Sequence, residues 1–142
     1  MPLKKVVDPR FVKSKDYGEV IEGIEKEGNC PFCPAHFIHH RKPILKKEGV
    51  WCITENSWPY DNTALHLLVI GDEHKEHLEE LSEQDLLSIM LLVRWAIKEF
   101  DVKGGGVAMR FGDTGFTGAT VCHLHLHVIV PKEGSTVIFP IG

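Results

Sequence analysis

Hydrophobic and polar residues alternate most strictly in one stretch of the chain. His123-Leu124-His125-Leu126-His127-Val128-Ile129-Val130 reads histidine, apolar, histidine, apolar, histidine, and then an apolar run that ends at Pro131. A period of two is that of a β-strand, whose successive side chains face opposite ways. The pattern predicts that His123, His125 and His127 line one face, about 7 Å from one to the next at the usual rise of a strand. Leu124, Leu126, Val128 and Val130 then line the other face, against a core. Three uses of such a row are open: a histidine-rich surface strand, three metal ligands, or a catalytic row.

A second pattern has the helical period. Leu86, Ile89, Met90, Val93, Ile97 and Phe100 recur at spacings of three and four within residues 82–100. Ser82 with Asp85 three residues later has the form of a capping box. This long helix is expected to cover one sheet face, with its methionine and aromatic residues in the core. A shorter helix is expected over 17–26, capped by Asp16, edged by Val20, Ile21 and Ile24 and stopped at Gly28. Strands are expected at 44–45 and 50–54, joined through Gly49, and at 64–70, where His66, Leu68 and Ile70 share a face. A further strand is expected at 107–111. Residues 74–81 read as a turn or short helix, 112–118 as a glycine-rich loop, and 136–139 as a last strand or an extended tail. Short links between strands favour an antiparallel sheet with helices on one side, an α+β domain. No repeat or linker interrupts residues 1–142, so a single domain is expected.

Composition narrows the classes. The chain has 142 residues, of which 43% are hydrophobic and 25% charged, with a formal net charge of −4. These are the values of an ordinary globular domain and give no basic surface for nucleic acid. No apolar run is long enough to span a membrane and no signal core follows Met1. A cytoplasmic protein with neither membrane nor nucleic-acid partner is expected. In a reducing compartment the four cysteines are expected to be thiols. Cys30-Pro31-Phe32-Cys33 has the spacing of a zinc knuckle or a redox pair. Cys52 and Cys122 lie in apolar stretches and read as buried small hydrophobes.

Histidines on a rigid strand suit chemistry at phosphorus. An imidazole is a nucleophile that is largely neutral near pH 7, and its neighbours can feed a proton to a leaving group. The phosphate oxygens need donors, which the Gly118-Ala119-Thr120-Val121 backbone and the Thr120 hydroxyl can supply.

His-Leu-His-Leu-His-Val-Ile resembles the His-φ-His-φ-His-φ-φ signature of the histidine triad (HIT) family of nucleotide hydrolases and transferases, with φ apolar. The resemblance implies a five-stranded antiparallel sheet with one long helix. It implies that His125 attacks an α-phosphate to form a nucleotidyl-histidine intermediate and that His127 hydrogen-bonds phosphate or leaving-group oxygens. Thr120 matches the family's Ser/Thr three residues before the first histidine, although Ala119 stands where many members have a polar residue. Asn56 matches the nucleotide-binding loop, and Arg110 lies near the place of a family Asn at the end of the strand after the long helix. Zinc-containing members imply a structural Zn2+ on Cys30, Cys33, His66 and His123, with His36, His39 and His40 as rival ligands. A histidine at position 127, where the uridylyltransferase branch has Gln, points to the hydrolases. The implied substrates are dinucleoside polyphosphates or adenylyl phosphoramidates. Phe139-Pro140-Ile141-Gly142 lacks the tryptophan tail of the Hint branch. Family members are usually homodimers, so a dimer is expected. The alternative is a zinc-stabilised nucleotide-binding or interaction protein whose turnover is incidental.

Overall fold

The computed structural model describes residues 5–12, 14–37 and 40–142, apart from the His36 side chain. Its first long element is α1 (Lys15–Glu27). Ser14 caps it by accepting from the Tyr17 amide, so the cap lies two residues before the expected Asp16, and Gly28 ends it in the left-handed conformation. Next comes a hairpin, β1 (Ile44–Glu48) and β2 (Trp51–Glu55), whose turn is Gly49-Val50 with Gly49 at φ +58°. β3 (Thr63–Gly71), α2 (Glu83–Glu99), β4 (Gly106–Met109), the short α3 (Thr114–Thr117) and β5 (His125–Pro131) follow. The strands form one five-stranded sheet in the order β1-β2-β3-β5-β4, antiparallel at every pairing. This is the antiparallel α+β architecture that the pattern predicted, with the five strands and long helix that the family resemblance implied. Residues 135–142 form an extended tail with no sixth strand. No helix among the described residues is long and apolar enough to cross a membrane.

The two sheet faces divide the work. Trp51, Ile53, Leu67, Val69, Leu126 and Val128 pack against Ile89, Leu92, Val93 and Ala96 of α2 in the main core. His66, Leu68, Ile70, His125 and His127 lie on the other face, as alternation requires. There Cys52, Leu68 and Ile70 cluster with Phe32 and Phe37. Ile21 and Ile24 of α1 join Val6, Val7, Cys30 and Val121 in a separate cluster. The N-terminal segment is stitched to the residues before β5: Val7 bridges Val121, the Asp8 amide donates to the Thr120 carbonyl, and the Cys122 amide donates to the Val6 carbonyl.

The buried face of α2 differs from the one the apolar pattern picks. Buried are Asp85, Ser88, Ile89, Leu92, Val93 and Ala96, whereas Leu86, Met90, Ile97 and Phe100 are exposed at 50%, 48%, 44% and 39%. Met90 and Phe100 are therefore not core residues. Two apolar stripes run side by side along this helix, and polar residues on the buried one hide it. Ser88 is there because its hydroxyl faces Gly49, where a Cβ would come within 3.0 Å of it. Asp85 is there because it ties three elements together. Its carboxylate accepts from Trp51 Nε1 at 2.9 Å, from the Ser82 amide at 2.8 Å and from Lys75 Nζ at 3.2 Å. Burial alone would raise the Asp85 pKa, but these bonds outweigh it and hold the carboxyl well below its usual range. A depressed folded-state pKa means the stabilisation is present above the unfolded value of 3.8 and is lost as pH falls below it. Asp85→Ala is expected to cost about 3 kcal/mol at neutral pH by stranding the Trp51 and Lys75 donors, and a lowered urea midpoint would register that loss.

Candidate active site and metal cluster

β5 begins at His125, so the three histidines do not form one row. His125 and His127 stand on the strand with ring centroids 5.0 Å apart. His123 lies in the bend before it, and its buried ring faces the Cys30-Cys33 loop instead. The alternating motif thus serves two neighbouring sites.

At the strand site, hydrogen bonds set the tautomers. His125 Nδ1–H donates to the His123 carbonyl at 2.7 Å, which leaves Nε2 as the bare nitrogen. The Tyr60 amide donates to His66 Nδ1 at 3.1 Å, so the proton of His66 is on Nε2. That N–H donates to His127 Nδ1 at 2.8 Å. In its neutral form His127 then carries its own proton on Nε2, and this buried atom has no hydrogen-bond partner among the described residues. Burial, reinforced by the neighbouring imidazoles and Arg110, pushes His127 well below the ordinary histidine value. Burial likewise brings His125 and His66 down to about 4. All three rings are neutral at pH 7, so one offers a lone pair and another an unshared N–H.

His125 and His127 line a cavity of about 700 Å³, a volume suited to a small ligand. The other expected site residues also line it. Thr120 Oγ1 lies 2.7 Å from the Tyr17 hydroxyl. Arg110 donates through Nε to the Pro140 carbonyl at 2.8 Å and through Nη2 to the Tyr60 hydroxyl at 3.1 Å, while its Cζ sits 4.0 Å from the Phe139 ring centroid. Asn56 Oδ1 accepts from the Trp58 amide at 2.8 Å, an Asx-type turn contact, and its Nδ2 lies 3.3 Å from His66 Nε2. Tyr60 lines the cavity too, and the residues not picked out from the sequence are Tyr17 and the tail residue Phe139, whose ring meets His127 edge-on at 5.0 Å. Nothing in local patterning marks them, because long-range packing brings them in.

The second cluster consists of Cys30, Cys33, His74 and His123, whose ligand atoms all lie within 4.8 Å of one another. His123 Nδ1 is 3.5 Å from Cys30 Sγ and 3.7 Å from Cys33 Sγ, and His74 Nδ1 is 3.5 Å from Cys33 Sγ. The opposite ring nitrogens point outward: His123 Nε2–H donates to the Gly71 carbonyl at 2.7 Å and His74 Nε2–H to Glu76 Oε2 at 3.0 Å. Each imidazole is therefore held with its bare Nδ1 towards the thiols, the outer-partner arrangement typical of metal-bound histidine. Two thiols and two such nitrogens fit a tetrahedral metal ion. His66, the expected fourth ligand, is not in the cluster; it is committed to His127 and Tyr60, and His74 stands in its place. His40 is elsewhere too, bonded to Thr54 Oγ1 at 2.7 Å and stacked on Phe37. His39 and the side chain of His36 lie outside the described residues. Burial pushes the Cys30 thiol up to about 12, so metal binding here has to displace its proton. Cys52 and Cys122 are buried, as expected of small hydrophobes.

The family model described as "Scavenger mRNA decapping enzyme C-term binding" matches residues 29–138. None of the curated proteins matches the chain. Among solved structures, the chain is similar to a histidine triad nucleotide-binding protein from Candida albicans, with TM-score 0.64 and 20% identity over 80% of this chain and 85% of that one. It is also similar to a Zn-bound histidine triad family protein from Mycobacterium smegmatis, with TM-score 0.60 and 22% identity over 80% and 83%. A HIT family hydrolase from Clostridium thermocellum gives TM-score 0.58 and 22% identity over 78% and 97%. At these identities the structures bear on the fold.

Proposed function

Because this chain belongs to the histidine triad family, in the group whose model carries the scavenger decapping description, we propose that it is a nucleotide hydrolase acting at the α-phosphate of a purine nucleotide conjugate. In this reading His125 Nε2 attacks phosphorus, a P–N bond to the enzyme forms, and the P–O or P–N bond to the leaving group breaks. His127 Nε2–H hydrogen-bonds the departing atom, which leaves as the anion or takes its proton from solvent water. Water then attacks the nucleotidyl-histidine, the P–N bond to His125 breaks and the proton of the attacking water passes to solvent, which returns both rings to their starting state. Thr120 supplies a hydroxyl to the phosphate oxygens, Asn56 lines the nucleotide pocket, and Arg110 adds positive charge beside it.

The observation that carries the reading is the buried, unpartnered Nε2 of His127 beside the bare Nε2 of His125. A buried donor without an acceptor is costly, and a phosphate or leaving-group oxygen would satisfy it. His66 is the positioning residue that keeps the proton on that nitrogen. A histidine at position 127, where the uridylyltransferase branch has Gln, favours hydrolysis over nucleotidyl transfer. AMP release from an adenosine phosphoramidate and from a diadenosine polyphosphate tests the reading, and the faster substrate names the branch. Zn2+ is proposed as the resident, structural ion of the Cys30, Cys33, His74 and His123 cluster, a reading supported by the donor set and by the similarity to a Zn-bound histidine triad family protein.

A homodimer is part of the same reading, supported by the exposed apolar stripe of Leu86, Leu87, Met90 and Ile97 on α2 with Val107 on edge strand β4. Sedimentation should give twice the chain mass. Met90→Glu with Leu87→Glu is expected to shift it to the monomer, since each substitution forces a charge into the buried patch. Monomeric wild type would remove this part of the proposal.

A further inference from the structure

From the placement of α1 we infer that Tyr17 is a substrate-binding residue: its hydroxyl and that of Thr120 act as one donor pair for a phosphate oxygen of the bound nucleotide. The inference rests on the nucleotide reading of the cavity. It adds a residue from an element outside the matched family region, since α1 ends at Glu27 and the match begins at residue 29.

Three observations carry it. First, Tyr17 lines the same cavity as His125, His127 and Thr120. Second, the two hydroxyl oxygens lie 2.7 Å apart, and neither makes another hydrogen bond among the described residues. Two hydroxyls have two protons, and the bond between them uses one. The remaining proton can serve an acceptor in the cavity, whichever hydroxyl is the donor of the pair. Third, both ends are braced. The Asp8 amide donates to the Thr120 carbonyl at 2.7 Å and fixes the Thr120 backbone. The Tyr17 ring packs on Trp58 at 5.3 Å between centroids, and the Tyr17 amide is bonded to the Ser14 cap. A pair held this way needs little ordering when an anion arrives, which is the condition for efficient donation.

Calorimetric titration of the full chain with AMP and, separately, with adenosine tests it. Tyr17→Phe removes the hydroxyl and keeps the ring on Trp58, while Thr120→Val removes the other hydroxyl. Wild type is expected to bind AMP more tightly than adenosine. Each single variant should weaken AMP binding several-fold, because the hydroxyl left behind loses the partner that positions its proton, and leave adenosine binding within about twofold. The double variant should weaken AMP binding further, by about tenfold or more, the usual worth of a hydrogen bond to a charged group, because the last donor is then gone. Unchanged AMP binding in Tyr17→Phe, or AMP and adenosine weakened together, would make the hydroxyl a purely structural tie and overturn the inference. A wild type that fails to distinguish AMP from adenosine, or binds neither, would overturn the phosphate-binding reading of the cavity itself, and this inference with it.

Discussion

Replacing His125 by alanine should lower kcat/KM by about 10⁴-fold or more, the usual consequence of deleting a covalent nucleophile. The size of the effect follows from the geometry. His125 alone presents a bare Nε2, because its Nδ1–H is spent on the His123 carbonyl. His127 cannot substitute, since its Nδ1 is occupied by His66 and its Nε2 bears the proton. His127→Ala is expected to cost less, about 10²- to 10³-fold, the range of one lost hydrogen-bond donor to the charge that develops in the transition state. The fold should survive both changes, because the main core lies on the opposite face of the sheet. Steady-state AMP release, read beside unchanged far-ultraviolet circular dichroism, measures the difference. Equal modest losses in the two variants would mean that neither ring is the nucleophile.

Removing the metal is expected to produce the largest loss of stability. An ion bound only by the folded chain adds about 4 kcal/mol when its free concentration is a thousandfold above Kd, which is about 10–15 °C in thermal midpoint for a domain of this size. The cluster joins the Cys30-Cys33 loop, the loop after β3 and the bend before β5, segments with little regular structure of their own. Scanning calorimetry with and without a chelator, followed by zinc addition, should show that drop and its recovery. Metal analysis should give one zinc per chain. His74→Ala should abolish binding, whereas His66→Ala should leave the zinc content intact. The reverse pattern would restore His66 as the ligand, and an unchanged midpoint would remove the structural ion. Chelation should also slow catalysis, since His123 offers its carbonyl to His125 and its ring to the cluster.

The His66 and His74 result shows what the sequence made legible. The capping box at Ser82 and Asp85, the strand around His66 and the shared face of His125 and His127 follow from local period and chemistry, and these were readable. The fourth metal ligand depends on register. β3 and β5 are antiparallel with Ile70 opposite His125. Each step back from His125 towards His123 is therefore a step forward from Ile70, past Gly71, towards His74. His66 lies in the opposite direction, and its ring reaches His127. Composition and spacing cannot supply that pairing. The buried face of α2 was obscured for a different reason. Asp85 and Ser88 occupy it through one carboxylate network and one close approach to Gly49, while the more conspicuous apolar stripe faces outward. Tyr17 reaches the cavity, and Phe139 the His127 ring, only through tertiary packing.

Covalent catalysis by His125 can be seen as it happens by rapid-quench mass spectrometry of the wild-type chain mixed with an adenosine phosphoramidate or a diadenosine polyphosphate. A transient nucleotidyl adduct on His125, absent from His125→Ala, is the predicted result. AMP binding without adduct or AMP release from either substrate would contradict it and leave a zinc-stabilised nucleotide-binding protein.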